Sequence, residues 1–257
     1  MSTQERDVSV AAFLPADATA RQALVFSPVL PEWEGGAFFE PVTRLLNEAG
    51  MRVFVVDTLS MLDDSTATLA ALAEHWSAWL PRLGHLDLVC GNALGGAVAQ
   101  YLLPHLPPST GVLLVSGPAR TDATLERRLA TIAEPAEAGH PHESLAALAR
   151  AVLPRDVEPE DSAESRLLHH PSSAGNRLAV GMRMLRRLDV TRAVRRHPGA
   201  LLNIVGGASR LVSTVHTAAA EHHRVHTVRG AGMRPHIDGE AEVAATVRGF
   251  LRKEIQR

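Results

Sequence analysis

The chain has very little cysteine, lysine or tyrosine, one of each. With Cys90 alone an internal disulfide is excluded, and an intracellular, cytoplasmic setting is the expectation. Lys253 stands in a charged C-terminal stretch, which leaves Schiff-base chemistry without a well-placed amine. Excess charge is also missing. The formal net charge is −2, so there is no electrostatic basis for binding nucleic acid or an anionic membrane. No apolar run is long enough for a bilayer span. The polar start Met1 to Val8 has no apolar h-region and predicts no signal peptide. One lysine among 26 basic residues, with abundant alanine, suggests a GC-rich bacterial genome. That is a bias of composition and carries no function.

What is present points to one large α/β domain. A chain of 257 residues that is 46% hydrophobic can bury a sizeable core. Strands are expected at Val8 to Leu14, Ala23 to Ser27, Arg52 to Val56, Asp87 to Cys90, Gly111 to Ser116, Leu201 to Val205 and Arg224 to Val228. Helices are expected between them. Phe38 to Glu48 closes at Gly50, a residue suited to a left-handed C-cap. A second helix, capped by Ser65 or Thr66, runs to about Leu80 with Leu69, Leu72, Ala73, Trp76 and Leu80 at helical spacing. Ala97 to Leu103 and Glu240 to Ile255 follow. This alternation predicts a mostly parallel sheet flanked by helices. Residues 119–196 break it with amphipathic stretches at Leu125 to Ile132, Ser144 to Leu153 and Asn176 to Leu188. They read as a helical cap inserted over the carboxyl ends of the strands, into a core of residues 1–118 and 197–257.

The most specific motif is Leu86-Asp87-Leu88-Val89-Cys90-Gly91-Asn92-Ala93-Leu94-Gly95-Gly96. An apolar strand, a tight turn of small residues and a helix together make a nucleophile elbow, in which the turn residue is held in a strained conformation. Ala93 occupies the nucleophile's position and has no atom that can attack. It is expected to show positive φ between strand and helix.

With this elbow, the strand succession and the cap, the chain resembles the α/β-hydrolase superfamily over nearly its whole length. Gly91-Asn92-Ala93-Leu94-Gly95-Gly96 is similar to the family's Gly-x-Ser-x-Gly-Gly, and Ser27-Pro28 stands in the place of its His-Gly. The resemblance implies a triad ordered nucleophile, acid, histidine. In Val205-Gly206-Gly207-Ala208-Ser209, Ser209 stands where the acid belongs. In Gly230-Ala231-Gly232-Met233, Met233 stands where the histidine belongs. Ala93, Ser209 and Met233 are thus the degenerate triad positions, and Ser–His–Asp hydrolysis has none of its three groups. A single engineered Ser-to-Ala exchange accounts for Ala93 alone.

Backbone donors survive such loss. The N–H groups of Val29 and Leu94 form the implied oxyanion hole. Candidate catalytic groups are Glu32 and Glu34, in the loop Pro28 to Gly36 with Trp33 as an apolar wall, and His236 as a displaced base. For His236 the plainer reading is a loop histidine fixing a turn; for Asp238 it is the N-cap of the last helix. Asp122 reads either as a relocated acid or, with Thr121, as a helix cap, and Asp57 as a loop-stabilising acceptor. Trp33, Asn92, Met182 and Leu185 are expected to line a pocket above Ala93 together with Val29, Leu94 and Met233. The histidines at 140, 142, 169, 170, 222, 223 and 226 lack metal-site spacing, so neither metal nor cofactor is expected. Cys90 reads as a small buried apolar residue.

The expected partner is a small apolar or acyl-bearing molecule, and a homodimer is compatible with these features. Three readings stand side by side. One is a non-hydrolytic enzyme of specialised metabolism (cyclisation, elimination or isomerisation). A second is a pseudoenzyme binding a small ligand or a protein, and the third is a hydrolase with unorthodox or engineered residues.

Overall fold

A computed structural model describes residues 8–16, 21–63, 68–159 and 170–255. Ser65, Thr66 and His169 lie outside them, as do the first seven residues. Among the described residues a seven-stranded sheet runs β1-β3-β2-β4-β5-β6-β7. The strands are β1 (Val10–Phe13), β2 (Gln22–Phe26), β3 (Arg52–Val56), β4 (Leu88–Asn92), β5 (Gly111–Val115), β6 (Leu201–Gly206) and β7 (Arg224–Val228). Only β1 is antiparallel, pairing Val10 with Val56 and Phe13 with Val53 at one edge. The mostly parallel sheet predicted from the alternating pattern is what the chain builds.

Alternation along the strands divides the core into two faces. Leu24, Phe26, Val56, Val89, Val112 and Leu114 point to one side, where α2 (Leu69–Trp79) and α3 (Leu94–Leu102) cover them. Ala23, Val25, Val53, Val55, Leu113 and Ile204 point to the other, under α1 (Glu40–Glu48) and α9 (Glu240–Phe250). Strands β2, β4, β5 and β6 are almost entirely buried, and their near-continuous apolar runs follow from cover on both faces.

Several ends differ from the sequence reading. Helix α2 begins at Leu69, with Thr68 accepting the Ala71 N–H at 3.2 Å. Helix α3 begins at Leu94, directly after the elbow, rather than at Ala97. The last helix stops at Phe250 and continues as a π-helical turn, Leu251–Ile255. Asp238 is not its N-cap. Asp238 ends the short α8 (Pro235–Asp238), and its carboxylate accepts the Gly232 N–H at 2.8 Å.

Between β5 and β6 the chain forms α4 (Ala123–Glu137), α5 (Pro141–Val152), α6 (Pro171–Met184) and α7 (Thr191–Arg196). Helices α4, α5 and α6 pack on one another, whereas α7 returns to α3. Asp122 caps α4, its Oδ1 accepting the Leu125 N–H at 2.7 Å. Helix α6 starts at Pro171, five residues before the expected Asn176, because Pro at N1 fixes the helical φ while Ser172 and Ser173 show no apolar period.

Candidate functional site at the strand–helix elbow

Ala93 joins β4 to α3 with φ 47 and ψ −110, the strained turn expected of an elbow. The neighbouring glycines make it possible. A Cβ on Gly91 would lie 2.6 Å from the Gly96 Cα, and one on Gly95 would lie 2.5 Å from the Ser27 carbonyl oxygen. Helix, strand and the loop after β2 therefore touch backbone to backbone, which no larger residue allows. The Ala93 N–H donates to the Val115 carbonyl at 3.0 Å. The Asn92 amide donates to the same oxygen at 3.3 Å, so Asn92 braces the elbow instead of opening onto a pocket.

The loop after β2 is held by a buried network. Ser27 Oγ accepts the Thr58 N–H at 2.9 Å, and the Thr58 hydroxyl donates to the Ser27 carbonyl at 2.7 Å. Trp76 Nε1 donates to the Thr58 carbonyl at 3.0 Å. This places Val29 beside α6, where a Cβ on Gly181 would lie 2.6 Å from Val29 Cγ2. Among the described residues, neither the Val29 N–H nor the Leu94 N–H has a hydrogen-bond acceptor.

The surroundings are apolar. Val29, Leu94, Met182, Leu185 and Met233 belong to one buried cluster with Leu125, Leu129, Leu211 and Val212, and Ala93, itself partly buried, packs against it. Helices α4 and α6 thus supply side chains to the same buried cluster. Two surface depressions lie away from the elbow, one against β1 and α1 and the other on α7.

Ser209 and Met233 sit in the loops after β6 and β7, and both are tied to the segment that follows α5. The Met233 N–H donates to the Val152 carbonyl at 3.0 Å, and its Sδ accepts the Val212 N–H at 3.3 Å. Ser209 is fully buried, bridges to Pro154 and accepts the Leu211 N–H through Oγ at 3.2 Å. Ser116, which the sequence reading passed over, has φ 51 at the end of β5. Its hydroxyl donates to the Met233 carbonyl at 3.0 Å, fastening the Met233 loop to the strand beside the elbow. The sequence signal was a Ser-Gly pair closing an apolar strand.

The three nominated catalytic groups are not brought together at Ala93. Glu32 accepts the His170 N–H at 2.9 Å, at the start of α6. Glu34 is exposed. The buried His236 donates from Nε2 to the Phe38 carbonyl at 2.9 Å and packs on the Phe39 ring, on the α1 face. Burial lowers its pKa from 6.5 to about 4, so the ring is neutral near pH 7. Trp33 also packs against the α1-face cluster and does not wall the elbow.

Asp122 does meet a histidine, but it is His216. Its Oδ2 lies 3.4 Å from His216 Nε2, without the alignment of a hydrogen bond. Although Ser213 Oγ is 3.4 Å from His216 Nδ1, the Ser213 N–H already donates to that nitrogen at 3.1 Å. The lone pair a serine would need is occupied: Ser213 and His216 form a capping box around a short 3₁₀ turn, and Asp122 serves as the cap of α4.

Asp57 and Arg177 link the loop region after β3 to α6 through a buried ion pair. Asp57 Oδ1 accepts from Arg177 Nη2 at 2.7 Å and from the Leu59 N–H at 3.2 Å. Arg177 Nε donates to the Leu30 carbonyl at 2.9 Å. The loop carrying Val29 is thereby bolted to α6 on both sides of the elbow. Cys90 is fully buried and burial pushes its thiol pKa up, which makes it inert. Among the described residues no group of three or more His, Cys, Asp or Glu is placed to hold a metal ion. No helix among them is long and apolar enough to cross a membrane.

No family model and no curated protein matches the sequence. Solved structures match over nearly the whole chain. An α/β-hydrolase enzyme, MGS-M2, from a Medee basin deep-sea metagenome library has a TM-score of 0.76 at 13% identity, covering 97% of this chain and 96% of that one. A bromoperoxidase from Bacillus anthracis gives 0.74 at 14% identity, covering 96% and 95%. MenH from S. aureus gives 0.73 at 14% identity, covering 95% and 98%. At such identities the likeness concerns backbone architecture, and it agrees with the sheet order and the elbow: the chain has the α/β-hydrolase fold.

Proposed function

We propose that this chain is a non-hydrolytic α/β-hydrolase-fold protein that binds a small apolar molecule through a carbonyl group at the elbow. On this reading Ala93, Ser209 and Met233 stand in the places of nucleophile, acid and base. The observation that carries the reading is the pair of acceptor-free N–H groups, on Val29 and Leu94, flanking a residue that cannot attack. Buried amides normally find partners, so these two open groups favour a ligand oxygen that accepts from them. The apolar side chains of Met182, Leu185 and Met233 suit a hydrocarbon body.

Turnover at such a site rests on positioning and on polarising the carbonyl, which fits cyclisation or isomerisation. Elimination, and isomerisation by proton shift, ask for a base, and Glu32, Glu34 and His236 are bonded or exposed elsewhere; a rearrangement or ring closure that moves no proton does not.

Ala93→Ser tests the loss of hydrolysis. The elbow accommodates serine, while His236 packs on the α1 face and His216 accepts the Ser213 N–H through Nδ1. Hydrolysis of p-nitrophenyl butyrate by Ala93→Ser is expected to stay within about tenfold of the unchanged protein. Full acyl-enzyme catalysis supplies rate gains of about 10⁶ or more. Robust turnover by the serine variant would mean a base is present and would sink the proposal.

A further inference from the structure

A dense positive patch lies on the surface of α7 and the turn before it, apart from the elbow. Arg186, Arg187, Arg192, Arg195 and Arg196 are all exposed. Among the described residues none of the five donates a side-chain hydrogen bond or lies within ion-pair distance of a carboxylate. Some other surface arginines are paired, Arg44 with Glu40 and Glu240, Arg183 with Glu137 and Arg248 with Glu48, but what sets these five apart is their clustering. The one carboxylate in the stretch, Asp189, accepts the Thr191 N–H at 3.0 Å.

The arginines on α7 repel one another. Arg192, Arg195 and Arg196 fall at i, i+3 and i+4 and share one face, while the fully buried Val194 faces the core. Like charges at these spacings cost about 0.2–0.5 kcal/mol per pair. Arg192 lies in the first turn, where a cation opposes the helix dipole, whereas Arg195 and Arg196 lie in the last turn, where the dipole favours them. Arg187 adopts φ 56, a left-handed conformation costing roughly 1–2 kcal/mol for a non-glycine residue. It is held there by its N–H donating to Glu126 Oε1 at 2.8 Å. The three α7 arginines, with Asp189 and Thr191, line a surface depression of ≈ 510 Å³.

We propose that α7 and the turn before it form a docking surface for a protein segment carrying clustered carboxylates. A free phosphate meets exposed guanidiniums one or two at a time, and each such contact is worth about 0–1 kcal/mol in water. An extended acidic segment engages several at once, and the contacts combine.

The test is binding of poly-L-glutamate to the full chain at 50 and 200 mM salt, beside a duplex DNA of matched charge. The unchanged protein is expected to bind poly-L-glutamate at the lower salt, with clear weakening at the higher, since exposed charges are screened. Arg192→Glu/Arg195→Glu/Arg196→Glu is expected to lose at least tenfold in affinity while keeping its melting temperature. Arg252→Glu, at the far C-terminal helix, is expected to bind as the unchanged protein does. No binding, equal loss in the Arg252 variant, or unchanged binding by the triple variant overturns the proposal. Tighter binding of the DNA assigns the face to a different partner class and overturns it equally.

Discussion

Acidification from pH 7 to pH 4 is expected to cost this fold roughly 6 kcal/mol, a large share of the stability of a typical domain. The cause is buried neutral histidine. His236 is 2% exposed and His197 is 3% exposed. Burial lowers the pKa of each from 6.5 to about 4, with His223 and His222 adding repulsion at His197. In the unfolded chain both take up protons as the pH falls through about 6.5, whereas in the folded chain they do so only near 4. Their contribution is fully present above the unfolded value, is lost as pH falls through this window, and is gone below it. Each contributes about 3 kcal/mol. His216 and His223, shifted the same way by burial, steepen the loss. Urea denaturation at pH 7, 5.5 and 4.5 measures the slope. His236→Phe, which keeps a ring against Phe39, should flatten it by nearly one proton. Constant stability from pH 7 to 4.5 would contradict the burial of these rings.

Arg177→Met should cost 3–5 kcal/mol, about the penalty for leaving one buried partner of an ion pair uncompensated. Asp57 is 3% exposed, and without Arg177 its Oδ1 keeps only the Leu59 N–H. The Leu30 carbonyl also loses its donor. Adding Asp57→Asn removes the stranded charge and should recover at least 1 kcal/mol, a coupling that a double-mutant cycle reads directly. A loss below about 1 kcal/mol in the single variant would mean that the pair is effectively solvated.

The sheet and the elbow were legible because their signals are local. Strands β3 and β7 occupy the expected spans, since each is a short β-branched run ending at a turn. The strain at Ala93 followed from glycines that only a close strand–helix approach requires. What the sequence hid is side-chain direction across long separations. His236 bonds the Phe38 carbonyl 198 residues away, and Arg177 reaches Asp57 across 120. A loop carrying two glutamates and a tryptophan looked chemically equipped. Yet Glu32 is used at the start of α6 and Trp33 turns to the α1 face, choices set by which surface was left to cover. A cap at Thr121 or Asp122 was readable from spacing, whereas the His216 that Asp122 meets lies beyond β6.

The central claim is that Val29 and Leu94 present two open N–H groups to a carbonyl oxygen beside a residue that cannot attack it. Amide NMR of the ¹⁵N-labelled chain, titrated with 2-octanone and separately with octane, tests it most directly. Two neutral hydrogen bonds are worth about 1–3 kcal/mol together, so the ketone should bind at least about fivefold more tightly than the alkane. The Val29 and Leu94 amide protons should move downfield with the ketone alone. If both resonances stay in place at saturating ketone, or the two ligands bind equally, the elbow is not a carbonyl site and the account fails.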